Sequence, residues 1–256
     1  MQQLSIVVWK WGTKYTADHV NKMYSMLRRN LHAPFKLYCI TDDCIGMFSD
    51  IRILTWPFGS LGRARRLRLF DSAVQERLGP RILQLDLDCV ITGDITPLVV
   101  RAEPFIIWES VHDTRWVIGT EAPGYIGGAL CRNTKPKSNP FNASMFLMDA
   151  GTMPTLWDDY LAQPDLLEAR AKKAGHWTAL VKEGKGTLLD AGDDDQAVLT
   201  LYAKKLSPAT WGEGDGIYKY KRIKPGLPDN ARIVFFQGRD IMAQSQQSPW
   251  ILQHWK

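Results

Sequence analysis

Short apolar runs alternate along this chain with stretches of helical periodicity, and that alternation limits the folds open to it more than any other feature. The run LSIVVW (residues 4–9) is followed by the loop GTKY. Then comes TADHVNKMYSMLRRN, where Val20, Met23, Met26 and Leu27 recur at helical spacing. FKLYCI (35–40), the turn TDDCIG and IRILTW (51–56) read as strand, turn and strand. A helical stretch from about residue 63 to 78 is stopped by Gly79 and Pro80. LQLDLDCVIT (83–92) is the next strand. This order predicts an α/β fold, a mixed but mostly parallel Rossmann-like sheet flanked by helices.

Further along, PFIIWES (104–110), ASMFLMDAG (143–151) and ARIVFF (231–236) read as strands, and residues 156–161, 165–174 and 195–204 as helices. Between them residues 114–140 form a Gly-, Pro- and Asn-rich loop. Loops of that length in compact domains generally serve a function, here as a lid or an acceptor surface. No repeat or linker divides the chain, so a single domain over 1–256 is expected.

With 256 residues, 45% of them apolar and 23% charged, the chain can bury an ordinary core. It has no apolar run of the roughly 18 residues that a transmembrane helix needs, and its N-terminus lacks a basic, cleavable leader. A cytoplasmic protein without a transmembrane segment is the expectation. Cys39, Cys44, Cys89 and Cys131 show no CxxC spacing, which suggests neither a disulfide framework nor a zinc site. The net charge is +5, with basic clusters at RARRLR (63–68), ARAKK (169–173) and KYKRIK (219–224). Such clusters are ordinarily solvated faces, but they also suit an anionic partner.

The strand at 83–92 carries two carboxylates two positions apart. In an extended chain Asp86 and Asp88 point to one side, while Leu85, Leu87 and Cys89 point to the other. Like charges converging in an apolar setting repel, and a divalent cation between them removes that penalty. The end of a central strand is also where α/β sheets seat ligands. Two other readings fit the same pattern. A phosphohydrolase would use the first Asp of D-x-D as its nucleophile, and a non-catalytic module would bind nucleotide or nucleic acid without turnover.

LQLDLDCVITGDITPL (83–98) resembles the D-x-D segment of nucleotide-sugar glycosyltransferases of the GT-A fold. It is closest in kind to the retaining group that includes glycogenin and bacterial lipo-oligosaccharide galactosyltransferases. Ordered similarities continue through most of the chain. VVWKWGTKYTADHVNKMYSMLRRN and FKLYCITDDCIG resemble the nucleotide-binding start of bacterial and phage members. RLRLF (66–70) matches their K-L-x-L-F helix, FNASMFLMDAG (141–151) their F-N-x-G/S strand, and GDDDQAVLT (192–200) their D-Q helix start. RIVFFQG and PWILQHW resemble their C-terminal H-G and W-x-x-H-W ending.

The resemblance implies a nucleotide-binding half (1–100) with the D-x-D and a half for donor sugar and acceptor (101–256). It also implies a metal-dependent, retaining hexosyl- or pentosyltransferase with a UDP-sugar donor and Mn²⁺ or Mg²⁺ on Asp86 and Asp88. Val8, Lys10 and Tyr15 are placed near base and ribose, and Arg66 stands where the family's Lys contacts the donor. Asn142 and Ser144 are placed on the donor sugar, with Asp195 on its hydroxyls and Gln196 beside the anomeric carbon. Of the three successive acids 193–195, Asp195 is the one directly preceding Gln196, and the others suit a helix cap. Relatives carry a metal-binding His just before the final Gly. Here that position is Gln237, which leaves its carbonyl oxygen or His254 as the further ligand, and Arg239 replaces a family Lys. The acceptor implied is anionic, either a glycan or lipid-linked sugar, or hydroxylated bases in phage DNA. Ten tryptophans offer stacking surfaces for the latter.

Overall fold

The structure is a computed structural model and describes residues 3–56, 62–109, 140–173, 195–223, 226–236 and 248–256. The long loop at 114–140, Gln237, Arg239 and the acids at 193 and 194 lie outside the described residues.

Seven strands form the main sheet in the order β3-β2-β1-β4-β7-β6-β8. They are β1 (Leu4–Lys10), β2 (Phe35–Thr41), β3 (Arg52–Leu54), β4 (Arg81–Leu85), β6 (Phe105–Glu109), β7 (Phe141–Asp149) and β8 (Ala209–Trp211). All run in one direction except β7, which pairs antiparallel with both β4 and β6. The expected mostly parallel α/β sheet is therefore present. β1 is buried throughout, as a central parallel strand covered on both faces must be. Its alternate residues feed two cores. Leu4, Ile6 and Val8 pack with the helix α1 (Ala17–Asn30), while Val7 and Trp9 pack with Leu67, Leu69 and Phe70 on the opposite face.

In α1 the apolar stripe read from the sequence is the buried face: Val20, Met23, Met26 and Leu27 are fully buried. The other helices are α2 (Ser72–Leu78), α3 (Thr96–Val99), α4 (Leu156–Ala162), α5 (Pro164–Lys173), α6 (Asp195–Leu206) and α7 (Pro249–His254). Among the described helices none is long and apolar enough to cross a membrane.

Two segments depart from the sequence reading. The helix expected from 63 to 78 is split into a 3₁₀ segment, Gly62–Phe70, and α2. Asp71 divides them because its side chain accepts from Ala73 N–H at 2.9 Å and starts a new helix. Gly79, at φ +97°, ends α2 in a conformation that favours glycine. The strand expected over 83–92 is likewise two: β4 ends at Leu85, and β5 (Cys89–Ile91) joins a separate three-stranded sheet in the order β5-β10-β9. That sheet also contains β9 (Ile217–Lys219), with no counterpart in the sequence reading, and β10 (Ile233–Phe235). Asp86 and Asp88 therefore occupy the bend between two sheets. Leu87 stays buried on the core side, so the two carboxylates still share the open side.

A candidate anion and cation site at the sheet's carboxyl edge

The parallel strands β1 and β4 end on one edge of the sheet, and the antiparallel β7 begins there. The Asp86 N–H donates to the Ser144 carbonyl at 2.9 Å, one step beyond the Leu85–Met145 pair of the β4–β7 ladder. Asn142 and Ser144 are thereby brought beside the D-x-D bend. Asn142 is buried, and its side-chain oxygen accepts from Ser144 N–H at 2.9 Å. The first turn of α6 adds Asp195, which is 4% exposed, and Gln196, whose amide oxygen accepts from Ala143 N–H at 3.3 Å.

Arg66 ties these pieces together. Its Nη1 donates to Asp86 Oδ1 at 2.6 Å, and its Nε lies 2.6 Å from Asp195 Oδ2. The two carboxylates hold the guanidinium's pKa up against the opposing effect of burial. Asp86 Oδ1 also accepts from Gln84 Nε2 at 3.0 Å, and Gln84 Oε1 accepts from Trp9 Nε1 at 2.8 Å. A buried polar chain from β1 through β4 thus fixes the first Asp of the motif.

Asp88 is held more loosely. Lys14 Nζ lies 3.6 Å from its Oδ2, and the Tyr15 hydroxyl donates to its side chain. Burial and the neighbouring Asp86 charge push the Asp88 carboxyl up to about 6. Tyr15 is pushed up as well, by burial and by the two carboxylates. Behind the bend, Phe236 N–H donates to the Asp88 carbonyl at 2.8 Å, which anchors the end of β10 against the motif.

Three carboxylates therefore face one buried guanidinium and one exposed ammonium, that of Lys14. The net excess is negative. Asp86 and Asp88 are hard oxygen donors with charge to spare, which fits a divalent cation. Among the described residues no group of three or more His, Cys, Asp or Glu side chains is placed to hold a metal ion. His254 sits on α7, where its carbonyl accepts from Arg29 Nη2 at 2.7 Å.

The remaining sequence candidates have structural occupations. Val8 is fully buried in the core. Lys10 is 4% exposed and donates to the Asp43 carbonyl at 2.9 Å, closing the turn after β2. Sequence reasoning passed over Gln84 and Lys14. Gln84 did leave a signal, as an uncharged polar residue inside an apolar strand. The RARRLR cluster is not a solvated face. Arg66 enters the site, Arg65 lies 4.8 Å from the Trp11 ring centroid, and Arg68 lies 4.9 Å from that of Trp56 and 3.7 Å from Asp71 Oδ2. Of the described tryptophans, Trp9, Trp56, Trp108, Trp157, Trp211 and Trp255 are buried, and Trp11 and Trp250 are half-buried.

Fold and site define an α/β protein with a Rossmann-like sheet and a carboxylate–arginine cluster at its carboxyl edge. Compared with known proteins, the chain matches no family model and no curated sequence.

Proposed function

We propose that this protein is a glycosyltransferase of the GT-A type that uses a divalent cation, Mn²⁺ or Mg²⁺, and a nucleotide-sugar donor, with a UDP-sugar favoured. The observation that carries this reading is the bridge from Asp86 through Arg66 to Asp195, which joins the D-x-D bend to the D-Q helix start. A structural ion pair would need one carboxylate for one guanidinium. Here Arg66 bridges two, and a third acidic residue, Asp88, is retained beside them at an electrostatic cost.

In this reading Asp86 and Asp88 hold the cation, which when bound offsets charge growing on the departing diphosphate. Arg66 orients Asp86 and Asp195. Asp195 and Asn142 face the donor sugar as hydrogen-bonding groups, and Ser144 stands beside them. The Ala143 N–H fixes the orientation of the Gln196 amide next to the anomeric carbon. Lys14 and Tyr15, both on Asp88, stand where a phosphate or ribose would approach. By its resemblance to the retaining group, the product keeps the donor's anomeric configuration. With six of the eight described tryptophans buried in packing, a glycan acceptor fits better than DNA.

The test is a thermal-shift and isothermal-titration series with nucleotide sugars, with and without Mn²⁺. The expected result is stabilisation by one UDP-sugar that requires the metal and disappears in Asp86→Ala. Release of phosphate from simple esters without any nucleotide preference would instead make Asp86 a phosphohydrolase nucleophile. Product NMR showing the inverted anomer would remove the retaining assignment.

A further inference from the structure

Across β10 from the Asp88 bend lies a cavity of about 220 Å³, lined by Trp108, Glu109, Gly212, Glu213, Ile217, Lys219 and Arg222. It adjoins the site through the small sheet. Phe235 pairs with Cys89 on one side and with Lys219 on the other, and its ring stacks on Trp108 at 4.4 Å.

Lys219 is the group that calls for an explanation. It is 8% exposed, yet among the described residues its ammonium has no hydrogen bond or ion pair. The Trp108 ring centroid lies 5.7 Å from its Nζ, and of the charged groups around it Glu213 attracts the ammonium while Arg222 and Lys221 repel it. A cation–π contact at that distance offsets only part of the cost of withdrawing an ammonium from water. The acidic groups of the cavity already have partners. Glu213 pairs with Arg222 at 2.6 Å, and Glu109 accepts from the Thr210 hydroxyl at 3.3 Å. A buried cation beside two partnered carboxylates is complementary to a ligand with one anionic group and several hydroxyls. The volume lies below the roughly 300–1,000 Å³ of drug-sized pockets, which suits one monosaccharide unit and not a polymer groove.

We propose that this cavity seats an anionic monosaccharide unit, a sugar phosphate or a uronic acid, whose charged group pairs with Lys219 and whose hydroxyls donate to Glu109 and Glu213. As an acceptor subsite the assignment rests on the glycosyltransferase reading; as a binding site it stands on the cavity alone.

The experiment is isothermal titration of the full chain with glucose 6-phosphate, glucuronate and glucose, repeated on Lys219→Met. One of the two anions is expected to bind at least ten-fold tighter than glucose, and Lys219→Met is expected to erase that margin. Which anion wins identifies the charged group. Equal binding of all three sugars, or a margin that survives in Lys219→Met, overturns the proposal.

A second measurement needs no variant. Pyridoxal 5′-phosphate forms an imine with an accessible lysine amine, water leaves, and borohydride reduces the adduct. Peptide mapping should find Lys219 labelled, and labelling should slow in the presence of the tighter anion. Labelling at Lys219 that the anions leave unchanged overturns the site. UDP titrations with Mn²⁺ on the same samples separate the two ideas. Anion binding without UDP binding keeps the cavity and removes the transferase reading, and the reverse pattern removes the cavity alone.

Discussion

Arg66 Nε lies 2.6 Å from Asp195 Oδ2, a contact between the 3₁₀ segment before β4 and the first turn of α6. With its second contact to Asp86, this one side chain holds a buried and a half-buried carboxylate. Arg66→Met removes the guanidinium from both and should lower unfolding free energy by roughly 3 kcal/mol, read by urea denaturation. Arg66→Lys, a point charge that cannot fork between two carboxylates, should recover only part of the loss. A neutral effect of Arg66→Met would mean that the bridge does not form in solution.

Asp88 is the opposite case, because burial and Asp86 disfavour its charge. A carboxyl with a raised folded-state pKa contributes stability at low pH that is lost as pH rises from about 4 to about 6. Asp88→Asn removes that repulsion. Without metal it should be as stable as wild type at pH 7 or more stable by up to about 1 kcal/mol, while losing Mn²⁺-dependent UDP binding. Calorimetry in chelator, followed by titration with Mn²⁺ and UDP, checks both halves. A clear loss of stability in chelator would place Asp88 among the structural carboxylates.

Burial depresses the Lys219 ammonium to about 8. Between pH 8 and the ordinary lysine value of 10.5 the unfolded chain binds more protons than the folded one, so stability attributable to this group rises with pH across that window. Lys219→Met should therefore be more stable than wild type at pH 7, by about 1–2 kcal/mol after allowance for residual solvent, and the gap should close by pH 10.5. Denaturant midpoints of the two proteins at pH 7, 9 and 10.5 give the comparison. A gap that stays constant with pH would mean that the ammonium is not desolvated.

Gly216 holds the small sheet in place. At φ +83° it favours glycine, and a Cβ there would lie 2.2 Å from the Asn230 carbonyl oxygen. Gly216 O in turn accepts from the Arg232 and Ile233 N–H groups. Gly216→Ala should cost at least about 2 kcal/mol and expose β10 to early hydrogen exchange, detectable by mass spectrometry. Wild-type exchange in this variant would contradict the close approach.

Much of this molecule was legible in local pattern. The stripe Val20, Met23, Met26 and Leu27 marks the buried face of α1 because helical period is a property of adjacent turns. The side of the bend shared by Asp86 and Asp88, with Leu87 inward, follows from the alternation of an extended chain. The family resemblance proposed a larger set of site residues, and of these the fold brings Arg66, Asp86, Asn142, Ser144, Asp195 and Gln196 to one edge. What only the tertiary structure decided depends on partners distant in the chain. The break between β4 and β5 cannot be read from LQLDLDCVIT, because it exists where β4 pairs with β7 and β5 pairs with β10. RARRLR looks like a solvated run until two carboxylates and two aromatic rings from elsewhere claim Arg65, Arg66 and Arg68. Lys219 looks like one of several surface lysines until β9 carries it beneath Trp108. Periodicity records which face of an element is apolar. The energies that set strand pairing, ion pairing and burial of single charges arise between elements, and no local pattern encodes them.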